Sequence, residues 1–319
     1  MRKIFLSITV ILCFAQPTFS QSYKVGILFD QFASVRWTID SMHLRQSFEA
    51  LDMSVDIQVA HSQLEVQKQQ ARAMIEAKVD ALIIVAVDGS KLEDIVSEAK
   101  SNNIVVVAYA RPILSSDIDF FIGYNNAEVG QQQALSVIKS MDQGKVMLIN
   151  GPSSDNNAVV FRDNQLQVLQ PYLESGAIQI VNDITLESWD EMSVLLKLYE
   201  IKPNMEEINA VIAATDNCVK ALMEYVNDEE ILKKIYITGQ DPTSETIYRI
   251  EKSIQNMTAL KPIQPLGKKT ASLTRALLMG EKDLKFSTLN IEGNTLNAYL
   301  FNPTIINEDN IDVFKVLIK

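Results

Sequence analysis

Residues 146–162 read VMLINGPSSDNNAVVFR, and this stretch decides the predicted fold. Its opening apolar run ends at Asn150-Gly151-Pro152. A run bounded in this way is typical of a strand buried on both faces of a parallel sheet. Polar residues and then a helical pattern follow, and the turn from strand to helix is where open α/β sheets bind ligands. The stretch therefore predicts either a ligand site or an ordinary helix cap with a solvated first turn.

The rest of the chain alternates strands and helices in the same way. Strands are predicted at 24–29, 55–60, 81–87, 104–109 and 120–124, and the pattern restarts with strands at 146–150, 178–185, 210–215 and 234–239. Such alternation predicts doubly wound parallel sheets with right-handed crossovers. We therefore predict an α/β fold of two lobes joined by short hinges. The first lobe takes 21–125 and 258–291, and the second takes 126–257 and 292–319.

The first twenty residues predict export. Arg2 and Lys3 precede the apolar run 4–15, and small residues lead to Gln21. A charged start, a short apolar run and small residues at the cut are typical of a cleaved signal peptide, here 1–20. The apolar run is shorter than a membrane-spanning helix normally needs. Lipid attachment at Cys13 is the alternative, although the bulky Leu12 precedes it.

Charge and cysteine content exclude several classes of protein. The formal net charge is −11, and removal of the signal peptide takes it to about −13. Because the chain has no tract rich in Lys and Arg, a nucleic-acid partner is not expected. Cleavage would leave Cys218 as the only cysteine. The core must then stabilise the fold without an internal disulfide.

Catalytic and cofactor patterns are missing from the sequence. His43 and His61 are its only histidines, and neither has the spacing of a metal site. There is no G-x-S-x-G nucleophile turn, and the first strand lacks the glycine-rich turn that a dinucleotide needs. We therefore predict a protein that is not an enzyme and needs no cofactor or metal.

Polar and aromatic side chains follow the predicted strands, where a cleft between two lobes would need them. The two tryptophans, Trp37 and Trp189, both lie in connections between a strand and a helix. This position suits plates that stack on a sugar, and hydrophobic anchors beneath loops are the alternative. The candidate residues are Asp30, Arg36, Trp37, Asp88, Arg111, Asn156, Asn157, Phe161, Arg162, Trp189, Thr215, Asp216, Asp241 and Lys261.

In this order the residues resemble the periplasmic xylose-binding proteins of the ribose-type sugar-binding superfamily. The resemblance covers roughly 23–312 and is carried by Arg36-Trp37, VDALII (79–84), AYAR (108–111), DIDF (117–120), DNNA (155–158), Phe161-Arg162, Trp189, GQD (239–241) and KPI (261–263). It implies the type I periplasmic binding protein fold, with two lobes joined by a three-segment hinge. Such a receptor closes over one monosaccharide and delivers it to an ABC-type permease. The pocket residues implied are Arg36, Trp37, Arg111, Asn157, Phe161, Arg162, Trp189, Asp241 and Lys261.

Three positions depart from the family pattern. Ala110 stands where the family has Asp, Ile39 where it has Lys, and Thr215 where it has Asn. Loss of a carboxylate that grips two hydroxyls should cost a few kcal/mol if the ligand were unchanged. The departures therefore predict a cleft less acidic than usual, and a pentose or hexose related to xylose, or a sugar acid, as the ligand.

The resemblance leaves the partner open. A sensor subunit on the same fold would present the sugar-bound state to a membrane histidine kinase or a chemoreceptor. The effector lobe of a lac-repressor-type regulator would need a DNA-binding helix pair where the signal peptide stands. We expect a periplasmic monomer whose partner is a permease or a membrane sensor.

Overall fold

The computed structural model describes residues 22–32 and 35–315. The predicted signal peptide, Cys13 and the last four residues of the predicted second lobe lie outside these ranges. Strands and helices alternate along the chain in the order β1 (Lys24–Phe29), α1 (Val35–Glu49), β2 (Ser54–Val59), α2 (Leu64–Glu76), β3 (Ala81–Ile84), α3 (Glu93–Ser101), β4 (Val105–Tyr109), β5 (Phe120–Tyr124), α4 (Asn126–Ser140), β6 (Gly144–Asn150), α5 (Asn156–Glu174), β7 (Ile178–Thr185), α6 (Glu191–Ile201), β8 (Ala210–Ala213), α7 (Asp216–Val226), α8 (Glu229–Leu232), β9 (Tyr236–Thr238), α9 (Ser244–Glu251), β10 (Met257–Leu260), α10 (Ile263–Leu278), β11 (Ser287–Ile291), β12 (Asn294–Phe301), β13 (Thr304–Asn307) and α11 (Ile311–Phe314).

The first lobe is built on a seven-stranded sheet in the order β11-β12-β5-β4-β3-β1-β2, parallel except for the β11–β12 hairpin. Successive strand side chains point to opposite faces. In β1, Leu28 packs with α2 and α3 on one face, while Ile27 and Phe29 pack with α1 and α10 on the other. Both faces are covered by helices, which explains why the strands are apolar runs.

The second lobe repeats this design around a four-stranded parallel sheet in the order β7-β6-β8-β9. Helices α4 and α5 pack on one face, and α6 and α7 pack on the other. The antiparallel pair β10–β13 lies beside it, because Gln240 bridges to Ala259 after the end of β9. The prediction of an α/β protein with two parallel-sheet lobes is confirmed.

The predicted lobe boundaries are wrong in the tail. Strand β12 was assigned to the second lobe, but it pairs in parallel with β5, with Ala298 opposite Phe121, and so completes the first-lobe sheet. Strand β10 was assigned to the first lobe, but it pairs with β13 beside the second-lobe sheet. These pairings join segments far apart in sequence, so no local pattern encodes them. The chain therefore crosses between the lobes after β5, β10 and β12.

Among the described residues, no helix combines the length and the apolarity that a membrane crossing requires. In the same residues, no group of His, Cys, Asp and Glu side chains is arranged to hold a metal ion.

Candidate functional site

The carboxylate of Asp241 joins the two lobes. It lies 2.7 Å from Arg36 Nη1 of α1 in the first lobe, and 3.3 Å from Nζ of Lys261 at the end of β10. The backbone of Asp241 is left-handed, with φ of 60°, and its N–H donates to the carbonyl of Ala259 at 3.0 Å. Non-glycine residues rarely adopt this conformation, and where they do, the position is often functional.

Arg36 also pairs with a buried carboxylate of its own helix. Asp40, one helical turn later, lies 3.3 Å from Arg36 Nε, and it also accepts a hydrogen bond from the buried Tyr109 hydroxyl. Burial raises the pKa of Asp40, against the opposing effect of Arg36. The guanidinium also lies 5.2 Å from the ring centre of Trp37. The sequence analysis missed Asp40 and Tyr109, although the spacing of positions 36 and 40 is that of a helical ion pair.

Arg111 makes a second link between the lobes. Its Nη1 donates to Asp30 at 2.7 Å and to the carbonyl of Ala86 at 3.0 Å, both in the first lobe. Its Nε lies 3.0 Å from a carboxylate oxygen of Asp155, at the start of α5 in the second lobe. Burial lowers the pKa of Arg111, but Asp155 and Asp30 outweigh burial and raise it. The guanidinium carbon lies 5.5 Å from the ring centre of Trp37.

Two aromatic side chains of the second lobe face the same region. The indole N–H of Trp189 donates to Asp155 at 3.0 Å. Gly151 makes room for this ring, because a Cβ there would lie 2.0 Å from it. Phe161 is buried, and the ammonium of Lys261 lies 5.6 Å from its ring centre.

Asn157 gives a third contact between the lobes. Its side-chain amide donates to the carbonyl of Ala110 at 3.0 Å and accepts a hydrogen bond from Asn126 at 2.7 Å. Ala110 also has a left-handed backbone, with φ of 59°. The departure from the family's Asp thus lies at a strained position between the lobes.

Three candidate residues have other surroundings. Arg162 forms an ion pair with Asp183 of β7. It is next to the buried Phe161 on α5. Because successive residues of a helix are about 100° apart around its axis, the two side chains point in different directions. Thr215 accepts a hydrogen bond from the backbone N–H of Cys218 and caps α7. Asp88 caps a short 3₁₀ turn and lines a cavity beside the cleft. Of the other eleven candidates, nine come together in the cleft, namely Asp30, Arg36, Trp37, Arg111, Asn157, Phe161, Trp189, Asp241 and Lys261. Asn156 begins α5 and lines the cavity beside the cleft, and Asp216 is buried at the start of α7.

Carboxylates outnumber cations in this cleft. Arg36, Arg111 and Lys261 face four buried or half-buried carboxylates, those of Asp30, Asp40, Asp155 and Asp241. The prediction of a cleft less acidic than usual is relative to the family pattern, and it stays a prediction. The remaining carboxylates supply many acceptors for the hydroxyls of a ligand.

We expect the burial of Lys261 to make the free energy of unfolding depend on pH. Burial lowers the pKa of Lys261 to about 8, against the opposing effect of Asp241. A depressed lysine pKa means that the folded state holds fewer protons than the unfolded state between about pH 8 and 10.5, so stability rises with pH there. Between pH 7 and pH 10, the free energy of unfolding should rise by about 2–3 kcal/mol relative to a Lys261→Met variant. Urea denaturation of the wild type and of Lys261→Met at both pH values measures this change. An equal difference in unfolding free energy between the two proteins at pH 7 and at pH 10 would contradict the assignment.

Comparison with known proteins gives a consistent result. A family model described as a periplasmic binding protein domain matches residues 25–282. The chain is similar to the D-xylose-binding periplasmic protein of Escherichia coli K12, with 33% identity over 92% of this chain and 89% of the relative. The relatives are named as binding proteins, in agreement with the prediction of a protein that is not an enzyme.

Solved structures share the fold. A carbohydrate-transporter solute-binding protein from Chloroflexus aurantiacus, in complex with D-glucose, has a TM-score of 0.84 at 21% identity, covering 92% of this chain and 95% of that one. The fructose-binding periplasmic domain of a hybrid two-component system has a TM-score of 0.77 at 19% identity, covering 92% and 94%. At these identities the likeness shows the fold alone.

Proposed function

Because this chain belongs to the periplasmic binding protein family, we propose that it captures one monosaccharide between its lobes and delivers it to an ABC-type permease. The observation that carries the proposal is the pair of links across the cleft, from Arg36 to Asp241 and from Arg111 to Asp155. Each link joins groups from opposite lobes, so a ligand that contacts both groups is bound only when the lobes meet. Such a ligand shifts the population towards the closed form.

The chemistry of the cleft suits a sugar. The arginines and Lys261 donate hydrogen bonds, the carboxylates accept them, and Trp37 and Trp189 offer aromatic faces to the C–H groups of the ring. Arg36 and Arg111 are each fixed by two carboxylates, which holds their donors in place before a ligand arrives. Pre-positioned groups of this kind raise affinity because less entropy is lost on binding.

The balance of charge favours a neutral pentose or hexose over a sugar acid. A sugar acid would bring its own carboxylate close to these four carboxylates. The three cations that could pair with it are already paired with the carboxylates of the protein. The xylose-binding relatives support a sugar of similar size. Ala110, Ile39 and Thr215 differ from the family pattern, which supports a preference other than xylose itself.

A panel of sugars tests the proposal. D-xylose, L-arabinose, D-glucose, D-galactose and D-glucuronate are added to the purified protein and its melting temperature is followed, because a bound ligand stabilises the folded state by mass action. At least one neutral sugar should raise the melting temperature. The same sugar should have no effect on Trp37→Ala, while the exposed-site control Tyr199→Ala should respond like the wild type. Equal responses of the wild type and Trp37→Ala would place the binding site elsewhere.

A sensing role is the second candidate, because the same fold also occurs in the periplasmic domain of a two-component system and so does not separate the two roles. Both roles use the same cleft, and we place the protein in the periplasm in either case, exported by the predicted signal peptide. Deletion of the gene separates them. Loss of uptake of the labelled sugar supports delivery to a permease, whereas normal uptake with loss of the transcriptional response to the sugar supports sensing.

A further inference from the structure

A second cavity of about 160 Å³ lies between the lobes, beside the cleft. Loops of the first lobe contribute Asp88 and Ser90, the segment before α5 contributes Ser153 and Ser154, and the tip of the β11–β12 hairpin contributes Glu292. With the loop at Arg111, four separate segments line this space, and none of the predicted aromatic plates borders it.

This cavity adjoins the cleft. Arg111 and Asp155 line both spaces. The guanidinium of Arg111 lies against Trp37, and the carboxylate of Asp155 accepts the N–H of Trp189. A ligand that packs against these aromatic rings and contacts Arg111 therefore lies next to the cavity.

The hairpin holds Glu292 at a backbone cost. Glu292 has φ of 48° and Gly293 has φ of 81°, so two left-handed residues connect β11 to β12. Turns of this kind favour Asn, Asp or Gly at both positions, and a left-handed glutamate costs about 1 kcal/mol. Glu292 is exposed and lines the cavity, so the turn places a longer acidic residue there than the Asn or Asp that it favours.

The lining chemistry indicates what the cavity takes. Its serine hydroxyls can donate hydrogen bonds to the hydroxyl groups of a ligand and accept them, and its carboxylates can accept them. At about 30 Å³ for each water, its volume equals about five waters. That is enough for the ring of one further sugar but not for a longer chain.

We infer that the cavity is a second sugar subsite, so that the protein also binds a disaccharide, with one unit in the cleft and the other beside Glu292. The inference rests on the proposed function, because the first unit occupies the cleft described above. The second unit gains its contacts from the hairpin tip and from Ser154, on opposite sides of the cavity.

Calorimetric titration with matched sugars tests this inference, using D-xylose with xylobiose, D-glucose with cellobiose, and D-galactose with lactose. At least one disaccharide should bind about tenfold or more tightly than its monosaccharide. Glu292→Asn, which suits the turn, and Ser154→Trp, which fills the cavity from an exposed position, should each remove this advantage and leave the affinity for the monosaccharide unchanged.

The other outcomes are distinguishable. A monosaccharide that binds at least as tightly as every disaccharide containing it overturns the inference and leaves the proposed function intact. A disaccharide advantage that survives both substitutions shows that the second unit lies elsewhere, which also overturns it. If no sugar of either kind binds, the proposed function fails and the inference fails with it.

Discussion

Replacing Arg111 with alanine is expected to abolish the sugar response and to lower the free energy of unfolding by about 3–5 kcal/mol. Arg111 is 7% exposed and lies against two buried carboxylates, those of Asp30 and Asp155. Removing the cation leaves both carboxylates buried without it, and this costs more than the ion pairs themselves contribute. The sugar also loses a donor that contacts both lobes.

A surface arginine provides the matched control. Arg72 also pairs with two carboxylates, Asp94 and Glu98, but its side chain is 41% exposed. Exposed ion pairs contribute little, so Arg72→Ala should change the free energy of unfolding by about 1 kcal/mol or less and leave the sugar response intact. Urea denaturation and thermal shifts measure both effects. If Arg111→Ala matched Arg72→Ala in both measurements, Arg111 would not be the link that the structure indicates.

Replacing Asp216 with alanine is expected to cost about 3–5 kcal/mol at pH 4.5, where the side chain of the folded protein is protonated. Asp216 is buried at the start of α7 and accepts hydrogen bonds from Gln255 at 2.5 Å, Thr258 at 2.7 Å and Thr246 at 3.1 Å. Alanine leaves these three donors buried without their acceptor. The backbone N–H of residue 216 donates to the carbonyl of Gln240, and alanine keeps this bond, so the loss is confined to the side-chain contacts.

The pH dependence of this loss identifies its cause. Burial raises the pKa of Asp216 to about 6, although Arg249 and the hydrogen bonds oppose it. A raised carboxyl pKa adds stability that is fully present below the unfolded value and is lost as the pH rises through the folded value. From pH 4.5 to pH 7, the difference between wild type and Asp216→Ala should therefore shrink by about 2 kcal/mol. The control Asp190→Ala removes an N-cap of α6 and should cost about 1 kcal/mol. A difference for Asp216→Ala that is independent of pH would contradict a buried, titrating carboxyl.

Local sequence patterns identified several strands with their correct ends. Strands β5 and β7 were predicted residue for residue. The apolar run of β5 ends at Asn125-Asn126, and β7 begins just after the turn at Gly176. Helix α9 was missed, although Thr243 and Thr246 form a capping box at its start and Ile247 and Ile250 are buried at helical spacing. The sequence therefore contains a local signal for this helix.

Long-range pairings lay beyond such patterns. The placement of β12 beside β5 depends on a contact across more than 170 residues. The choice of Asp183 as the partner of Arg162 likewise depends on how β7 lies against α5. The resemblance supplied Arg36, Arg111 and Asp241 as pocket residues. It included Asp155 in a motif without giving it a role, and it did not include Asp40.

The most direct test of the central claim is a crystal structure of the protein with the neutral sugar that gives the largest thermal shift. The sugar should lie between the lobes, within hydrogen-bonding distance of Arg111 in the first lobe and Asp241 in the second. A sugar bound on an outer face, or held by residues of one lobe only, would contradict the account.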